Sequence, residues 1–163
     1  MSYTIRKAEA NDMASVLRLV NELAIHENEP EAVVVTVDDL IAHGTGSNPD
    51  FTCFVAESPD DGIVGIALIY YRFSTWKGKT VHLEDLVVKE SKRGEGIGMA
   101  LYTEVIDFAY QEGVRRIEWV VFEDNDGAIG FYEASGAEVL KHWHTVQMHE
   151  GGMKEFLTKR GRL

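Results

Sequence analysis

The segment Val81-His-Leu-Glu-Asp-Leu-Val-Val-Lys-Glu-Ser-Lys-Arg-Gly-Glu-Gly-Ile-Gly98 decides the fold of this 163-residue chain. Its first eight residues are rich in valine and leucine, as strands are, and residues 99–113 carry apolar side chains at the spacing of one helical face. A glycine-rich turn therefore stands at a helix start. Unpaired N–H groups and the helix dipole favour an anion there, and Gly94, Gly96 and Gly98 let the backbone approach it. The sequence predicts a phosphate-binding turn.

Length and composition favour one soluble domain covering residues 1–163. The chain is 45% hydrophobic, which is enough for a core, yet it contains no run of eighteen apolar residues. Its first residues are polar, and it has a single cysteine, Cys53, in an apolar strand pattern. We expect a cytoplasmic protein with no membrane partner, in which Cys53 is a buried structural thiol rather than a nucleophile.

The charge balance favours cationic partners. Sixteen basic against 27 acidic residues give a net charge of −11, which argues against nucleic acid and would attract a small cation. Lys89, Lys92 and Arg93 form a local basic cluster beside the glycine turn. The acidic loop 26–31 is either merely solvated or holds a cation.

Periodicity and turn signals predict a mixed sheet with helices before and after it. The helix at 13–26 is expected to be capped by Asn11 or Asp12, and Thr36 with Asp39 suggests a capping box for the next helix. Residues 159–162 are expected to be a frayed tail. The expected strands are 3–7, 52–57, 63–74, 80–88 and 116–122, with one or two more in 137–148, and the expected helices are 13–26, 36–43, 99–113 and 126–135.

The glycine turn does not match the common nucleotide motifs. It lacks the lysine and hydroxyl residue of a P-loop, and its glycines miss the register of a dinucleotide fingerprint. The alternative is a merely flexible loop. Against it stands the order strand, Arg93-x-x-Gly96-x-Gly98, helix, strand, Asn125, then Phe131-Tyr132 on a short helix.

In that order of motifs, over nearly all 163 residues, the sequence resembles the GNAT superfamily of acetyl-CoA-dependent N-acetyltransferases. Trp76-x-Gly-Lys79, Leu83-Glu84-Asp85 and the 93–98 turn are similar to the diamine (spermidine/spermine) and thialysine acetyltransferase branch. The resemblance implies an α/β (α+β) GNAT fold, whose mostly antiparallel sheet is flanked by helices. It also implies an acyltransferase that uses acetyl-CoA and no metal, and that forms a homodimer.

The resemblance also implies residue roles. Glu84 would take the proton of the amine, and Tyr132 would return one to the departing thiolate. Asp85, as the strand neighbour of Glu84, is expected to face the other side of the sheet. The substrate would meet His26, Glu27, Trp76 and Glu84. The cofactor would meet Leu86, Val87, Val88, Lys92, Arg93, Gly94, Glu95, Gly96, Ile97, Gly98, Met99, Asn125, Ala128 and Tyr132.

Other interpretations of these residues stay open. Glu84 could be a surface carboxylate, Tyr132 a packing residue and Asn125 a helix cap. Where the long-polyamine enzymes carry a further acidic pair, this chain has Leu140-Lys-His-Trp-His144, so a short diamine or a thialysine-like amino acid is comparably expected. His142 and His144 alone are weak support for a metal. The rival functions are acetylation of proteins or peptides and non-catalytic binding of acyl-CoA.

Overall fold

A five-stranded sheet organises the first part of the chain. The computed structural model describes residues 3–163. The strands follow one another in the order β1-β2-β3-β4-β5; the first three pairings are antiparallel, and β4 runs parallel to β5. The mixed, mostly antiparallel sheet is confirmed. The strands are β1 (Thr4–Lys7), β2 (Thr52–Ser58), β3 (Gly62–Ser74), β4 (Gly78–Val88) and β5 (Ile117–Glu118).

Helices cover both faces of this sheet. On one face, buried side chains of α1 (Met13–His26) and α2 (Val37–Gly44) pack with Ile66 and Val87 in one apolar cluster. On the other face lies α3 (Ile97–Gln111), whose Phe108 ring meets Phe54 of β2 edge to face at 5.6 Å. Alternate side chains of β2 and β3 therefore serve two different cores, which explains the near-continuous burial of these strands.

The helix starts differ in how closely they follow prediction. The Thr36–Asp39 capping box of α2 is confirmed, with both reciprocal hydrogen bonds present. At α1, Asp12 is the N-cap residue, as one of the two expected candidates, but its side chain makes no capping hydrogen bond. Its carboxylate accepts from the Glu9 backbone N–H at 2.7 Å and from Arg6 instead.

Contacts divide the chain into two compact units, one up to Val120 and one from Val121 to Leu163. The second unit holds α4 (Asp126–Ala134) and α5 (Glu150–Lys159). Among residues 3–163 no helix is both long and apolar enough to cross a bilayer.

Toward the C-terminus two strand predictions fail, and one helix of the structure was not predicted. The expected strand at 116–122 is reduced to Ile117–Glu118, and 137–148 contains no strand, because no neighbouring strand pairs with this backbone. Helix α5 was not predicted, since Gly151 and Gly152 in its first turn lower helix propensity and hide the pattern. The expected tail therefore begins only after Lys159.

Gly65 sets how closely α3 approaches the sheet. A Cβ at this position would lie 2.9 Å from Leu101 Cδ1 and 3.1 Å from both Ile97 Cγ2 and the Val87 carbonyl. We expect Gly65→Ala to destabilise the fold by about 1–3 kcal/mol through overpacking. Urea unfolding measures this, with Gly130→Ala as control. Since Gly130 lies in α4 with open space around it, that change should be neutral or slightly stabilising. Equal effects of the two variants would refute the close-packing account.

Candidate functional site

The glycine turn leads into α3 with its backbone donors open. Gly94 and Gly96 have φ values of +79° and +82°, which side chains other than glycine rarely adopt, and Gly96 is the N-cap of α3. No side chain caps this helix, and the first intrahelical bond is Ala100 N–H to the Gly96 carbonyl. The N–H groups of residues 97–99 thus lack intrahelical partners, as an anion site at a helix start requires.

The strand that leads to this turn has an open edge. Strand β5 pairs with β4 only at Val81 and His82. Beyond His82, no strand of the described sheet pairs with that side of β4, along Leu86, Val87 and Val88. This stretch can therefore accept an extended ligand as an added strand.

The two basic side chains of the turn are both engaged. Lys92 Nζ lies 2.6 Å from Asp61 in the β2–β3 turn, and its side chain is only 19% exposed. Hydrogen bonding to Asp61 raises the pKa of Lys92 and in return lowers the pKa of the Asp61 carboxyl. Arg93 Nε donates to the Val88 carbonyl at 3.3 Å. Lys92 thus anchors the turn to a neighbouring hairpin.

A β-bulge places Glu84. Leu68 of β3 faces Asp85 and Ile69 faces Leu83, so Glu84 has no cross-strand partner. The extra residue shifts the alternation of β4. Asp85 then lines up with Leu68 and Cys53 on the face covered by α1, while Leu83 lies on the α3 face.

The prediction that Asp85 faces away from Glu84 was therefore wrong. Glu84 Oε2 lies 3.5 Å from His82 Nε2, and His82 pairs with Tyr70 on the same α1 face as Asp85. The bulge breaks the period of two on which the prediction rested. Both carboxylates consequently lie toward one side of β4.

Burial and like charge perturb the acidic groups at the bulge. Asp85 is largely buried, and desolvation, followed by the negative charges of Glu84 and Glu27, raises its pKa to about 6. Partial burial also raises the pKa of Glu27, against the influence of His26. The pKa of Tyr70 is raised by burial and then by a hydrogen bond to Glu84. The pKa of Asp85 is thus raised by two neighbouring carboxylates as well as by burial, and such a group of negative charges favours a cation.

The structure brings only part of the predicted substrate set together. Glu27 follows directly after α1 and is exposed like His26, but its negative charge acts on Asp85 and raises the pKa of that carboxyl. Trp76 is 78% exposed at the tip of the β3–β4 hairpin. Glu84 lies six residues beyond the first residue of β4, so about 20 Å of extended strand separates it from the tip.

The remaining predicted residues belong to the second unit. The Asn125 side chain accepts from the Ala128 N–H at 3.1 Å and caps α4, which confirms the alternative interpretation of this residue. Tyr132 is half-buried on α4, with its ring 5.3 Å from Phe131 in an edge-to-face arrangement. His142 and His144 are exposed. In the described part of the chain, no group of three or more His, Cys, Asp or Glu is placed to hold a metal ion.

Cys53 is 3% exposed within the core of the sheet, and burial raises the pKa of its thiol to about 12. The prediction of a buried structural thiol is confirmed. A thiol this basic stays protonated at neutral pH and is a poor nucleophile.

Comparison with known proteins agrees with this geometry. Residues 14–137 match the acetyltransferase (GNAT) family. A thialysine N-epsilon-acetyltransferase of Bos taurus is 34% identical, over 95% of this chain and 97% of its own length. The spermidine/spermine N(1)-acetyltransferase-like protein 1 of Homo sapiens is also 34% identical, over 90% of this chain and 22% of that protein.

A solved structure shares the fold as well. A mutant of a Bacillus halodurans protein superposes with a TM-score of 0.72 and 26% identity, over 90% of this chain and 99% of that one. GNAT enzymes use acetyl-CoA as co-substrate, which suits an open helix start that follows an open strand edge. The chain belongs to the GNAT family of acetyltransferases and is an acyltransferase enzyme.

Proposed function

We propose that this enzyme moves acetyl from acetyl-CoA to a primary amine of a small cationic substrate by direct attack in a ternary complex. Candidate acceptors are a diamine, a polyamine or a thialysine-like amino acid. The observation that carries the proposal is the pair of carboxylates, Glu84 and Asp85, at the β4 bulge, on the strand that runs into the glycine turn; the negative charge of Glu27 also acts on Asp85. The names of the relatives in cattle and humans support the same substrate class.

The cofactor half of the proposal uses backbone groups. Bound acetyl-CoA would supply a thioester, an activated acyl group. The N–H groups of residues 97–99 would bind its pyrophosphate, and the open edge of Leu86, Val87 and Val88 would hold its amide-containing arm. A backbone N–H of that edge would stabilise the charge that develops on the acetyl oxygen.

The acceptor amine needs a general base, because a primary amine with a pKa of about 10.4 is protonated when it binds at neutral pH. Glu84, exposed at the bulge, would take the proton directly or through water. Asp85 and Glu27 would bind the remaining positive charge. After the amine attacks the acetyl carbon and the carbon–sulfur bond breaks, the nitrogen would release its second proton to solvent. Tyr132 would give the thiolate a proton and regain one from solvent, a role that rests on the family resemblance.

Direct transfer is supported by Cys53. Because its thiol is buried and its pKa is raised to about 12, it cannot serve as an acyl carrier. We further propose that residues 1–163 act as one catalytic domain, in a cytoplasmic homodimer. Sedimentation at several protein concentrations tests the dimer, and a monomer at micromolar concentration would refute it.

The proposed function is tested by incubating the protein with acetyl-CoA and a panel of free amines, peptides and no acceptor, while following thiol release. The panel contains diaminopropane, putrescine, spermidine, thialysine, ornithine and lysine. We expect release that depends on at least one free amine. Turnover on peptides alone would replace the proposal with protein acetylation. Tight CoA binding by calorimetry without any turnover would indicate a binding module.

The anchor between Lys92 and Asp61 gives a prediction about the cofactor turn. If the ion pair orders the turn, Lys92→Met and Asp61→Asn should both weaken CoA binding, each by about threefold to tenfold, since both break the same charged hydrogen bond. The control is Asp60→Asn, which removes a neighbouring exposed carboxylate. Calorimetry with CoA measures the change. If Asp61→Asn instead tightened binding, Lys92 would contact the phosphates directly.

A further inference from the structure

The side chain of Glu84 has no opposite residue on the neighbouring strand to pack against. Glu84 is the bulge residue of β4, without a cross-strand partner on β3, and its side chain is 51% exposed. A carboxylate in this situation has several rotamers open to it, so its direction depends on the side chains around it. The neighbours identified by contact or charge are His82, Tyr70 and Asp85.

The neighbouring imidazole is fixed from its other side. Arg72 Nη1 lies 3.2 Å from His82 Nδ1. Because a guanidinium can only donate hydrogen bonds, Nδ1 must accept, and the single proton of a neutral imidazole must then be on Nε2. Arg72 is held in turn by Glu118, the β5 residue that lies opposite His82 in the parallel pairing, with Nη1 and Oε1 2.5 Å apart.

The Nε2 atom of His82 lies near the carboxylate of Glu84, at a distance longer than an ordinary hydrogen bond. His82 Nε2 and Glu84 Oε2 are 3.5 Å apart, and the His82 side chain is only 12% exposed. Its ring also packs against Tyr70 with centroids 5.1 Å apart. A series of contacts thus starts at Glu118 on β5 and continues through Arg72 on β3 to His82 on β4. It ends at Glu84, the proposed base.

The charge state of His82 agrees with this arrangement. Burial lowers its pKa; the negative charges of Glu84 and Glu118 oppose this, and the positive charge of Arg72 adds to it. A second ring proton would have to go on Nδ1, directly against the Arg72 guanidinium. The imidazole is therefore neutral at neutral pH and cannot pass a proton through Nδ1.

We propose that His82 is a positioning residue, fixed by Arg72 and Glu118 as the Nε2–H tautomer, whose N–H directs the Glu84 carboxylate toward the substrate amine. The inference rests on the proposed role of Glu84 as base. The ammonium N–H bond breaks and a carboxyl O–H bond forms on Glu84. That proton leaves to solvent, and His82 keeps its own proton throughout.

The tautomer is tested without any turnover. In the protein labelled with nitrogen-15, a long-range proton–nitrogen spectrum distinguishes a protonated ring nitrogen from a bare one, and His82→Gln assigns the signal. We expect a bare Nδ1 and a protonated Nε2 at pH 7, and loss of this preference in Arg72→Met. A proton on Nδ1, a doubly protonated ring, or no change in Arg72→Met would overturn the inference.

Kinetics test the consequence for Glu84. His82→Leu removes the N–H, whereas His82→Gln can keep one near the same place. We expect His82→Leu to lower kcat about threefold to tenfold with KM for acetyl-CoA unchanged, and His82→Gln to recover most of the loss. In a Glu84→Gln background the effect of His82→Leu should vanish. The control is His149→Leu, at the exposed start of α5.

The two proposals fail in different ways. Full activity of His82→Leu, equal losses in the leucine and glutamine variants, or an undiminished effect in the Glu84→Gln background would each contradict the role of His82. A Glu84→Gln enzyme with normal rates would instead contradict the role of Glu84, and the nitrogen spectrum would still decide the tautomer.

Discussion

Glu84→Gln is expected to lower kcat/KM for the amine at pH 7 by about 10²–10⁴-fold, the range that general-base catalysis contributes. Glutamine has nearly the size of glutamate but cannot take a proton. The variant must therefore rely on the small fraction of amine that is already neutral, and this fraction rises with pH toward the amine pKa of about 10.4. The rate of the variant should keep rising with pH after that of the wild type has levelled off.

The pH profile separates a base from a mere cation-binding group. Asp107→Asn removes one carboxylate from the exposed face of α3 and serves as the control for net charge. KM for acetyl-CoA should not change, because the bulge precedes the proposed binding edge. An unchanged profile with only a raised KM for the amine would mean that Glu84 binds the substrate without taking its proton.

Asp85→Asn is expected to make the protein more stable and less active at neutral pH. The folded state raises the pKa of Asp85 from 3.8 to about 6, chiefly by burial, so the folded protein holds this proton more tightly than the unfolded chain. The contribution of this group to the free energy of unfolding is therefore largest below pH 4, decreases between pH 4 and pH 6, and is lost above pH 6. A shift of about two units corresponds to about 3 kcal/mol at neutral pH.

An amide avoids the cost of burying the charge, so we expect Asp85→Asn to gain about 1–3 kcal/mol at pH 7.5 and nothing at pH 4. Urea unfolding at both pH values measures this, with Asp107→Asn as the control. A gain that is the same at both pH values would contradict the pKa assignment. KM for the amine should also rise, because Asp85 is expected to bind the cationic substrate. This binding role would explain why the protein keeps a buried carboxylate that lowers its stability. An unchanged KM would remove Asp85 from the substrate site.

The sequence predicted the central elements because their signals are local. The apolar runs of β3 and β4, the glycine turn and the apolar face of α3 each depend on neighbouring residues, and the bounds of these elements lie within two residues of expectation. The capping box at Thr36 is equally local. Sequence motifs also led to the family, which the comparison with known proteins establishes.

What could not be predicted depends on distant partners. The bulge at Glu84 arises from the register between β3 and β4, so a strict alternation assigned Asp85 to the wrong face. The ion pair of Lys92 with Asp61 joins two turns 31 positions apart, and the Arg72–His82 contact joins two strands. Helix α5 was not predicted because two glycines in its first turn lower the helix propensity of the sequence. The strands expected at 137–148 have no neighbouring strand to pair with.

The central claim is that acetyl passes directly from acetyl-CoA to a small primary amine. The most direct measurement is mass spectrometry of the wild-type reaction, once with acetyl-CoA alone and once with the amine panel added. The proposed function predicts protein without a bound acetyl group in the first mixture, and a free amine that carries one acetyl group on nitrogen in the second. An acetylated protein that passes its acetyl group to the amine, or panel amines that all stay unmodified, would contradict it.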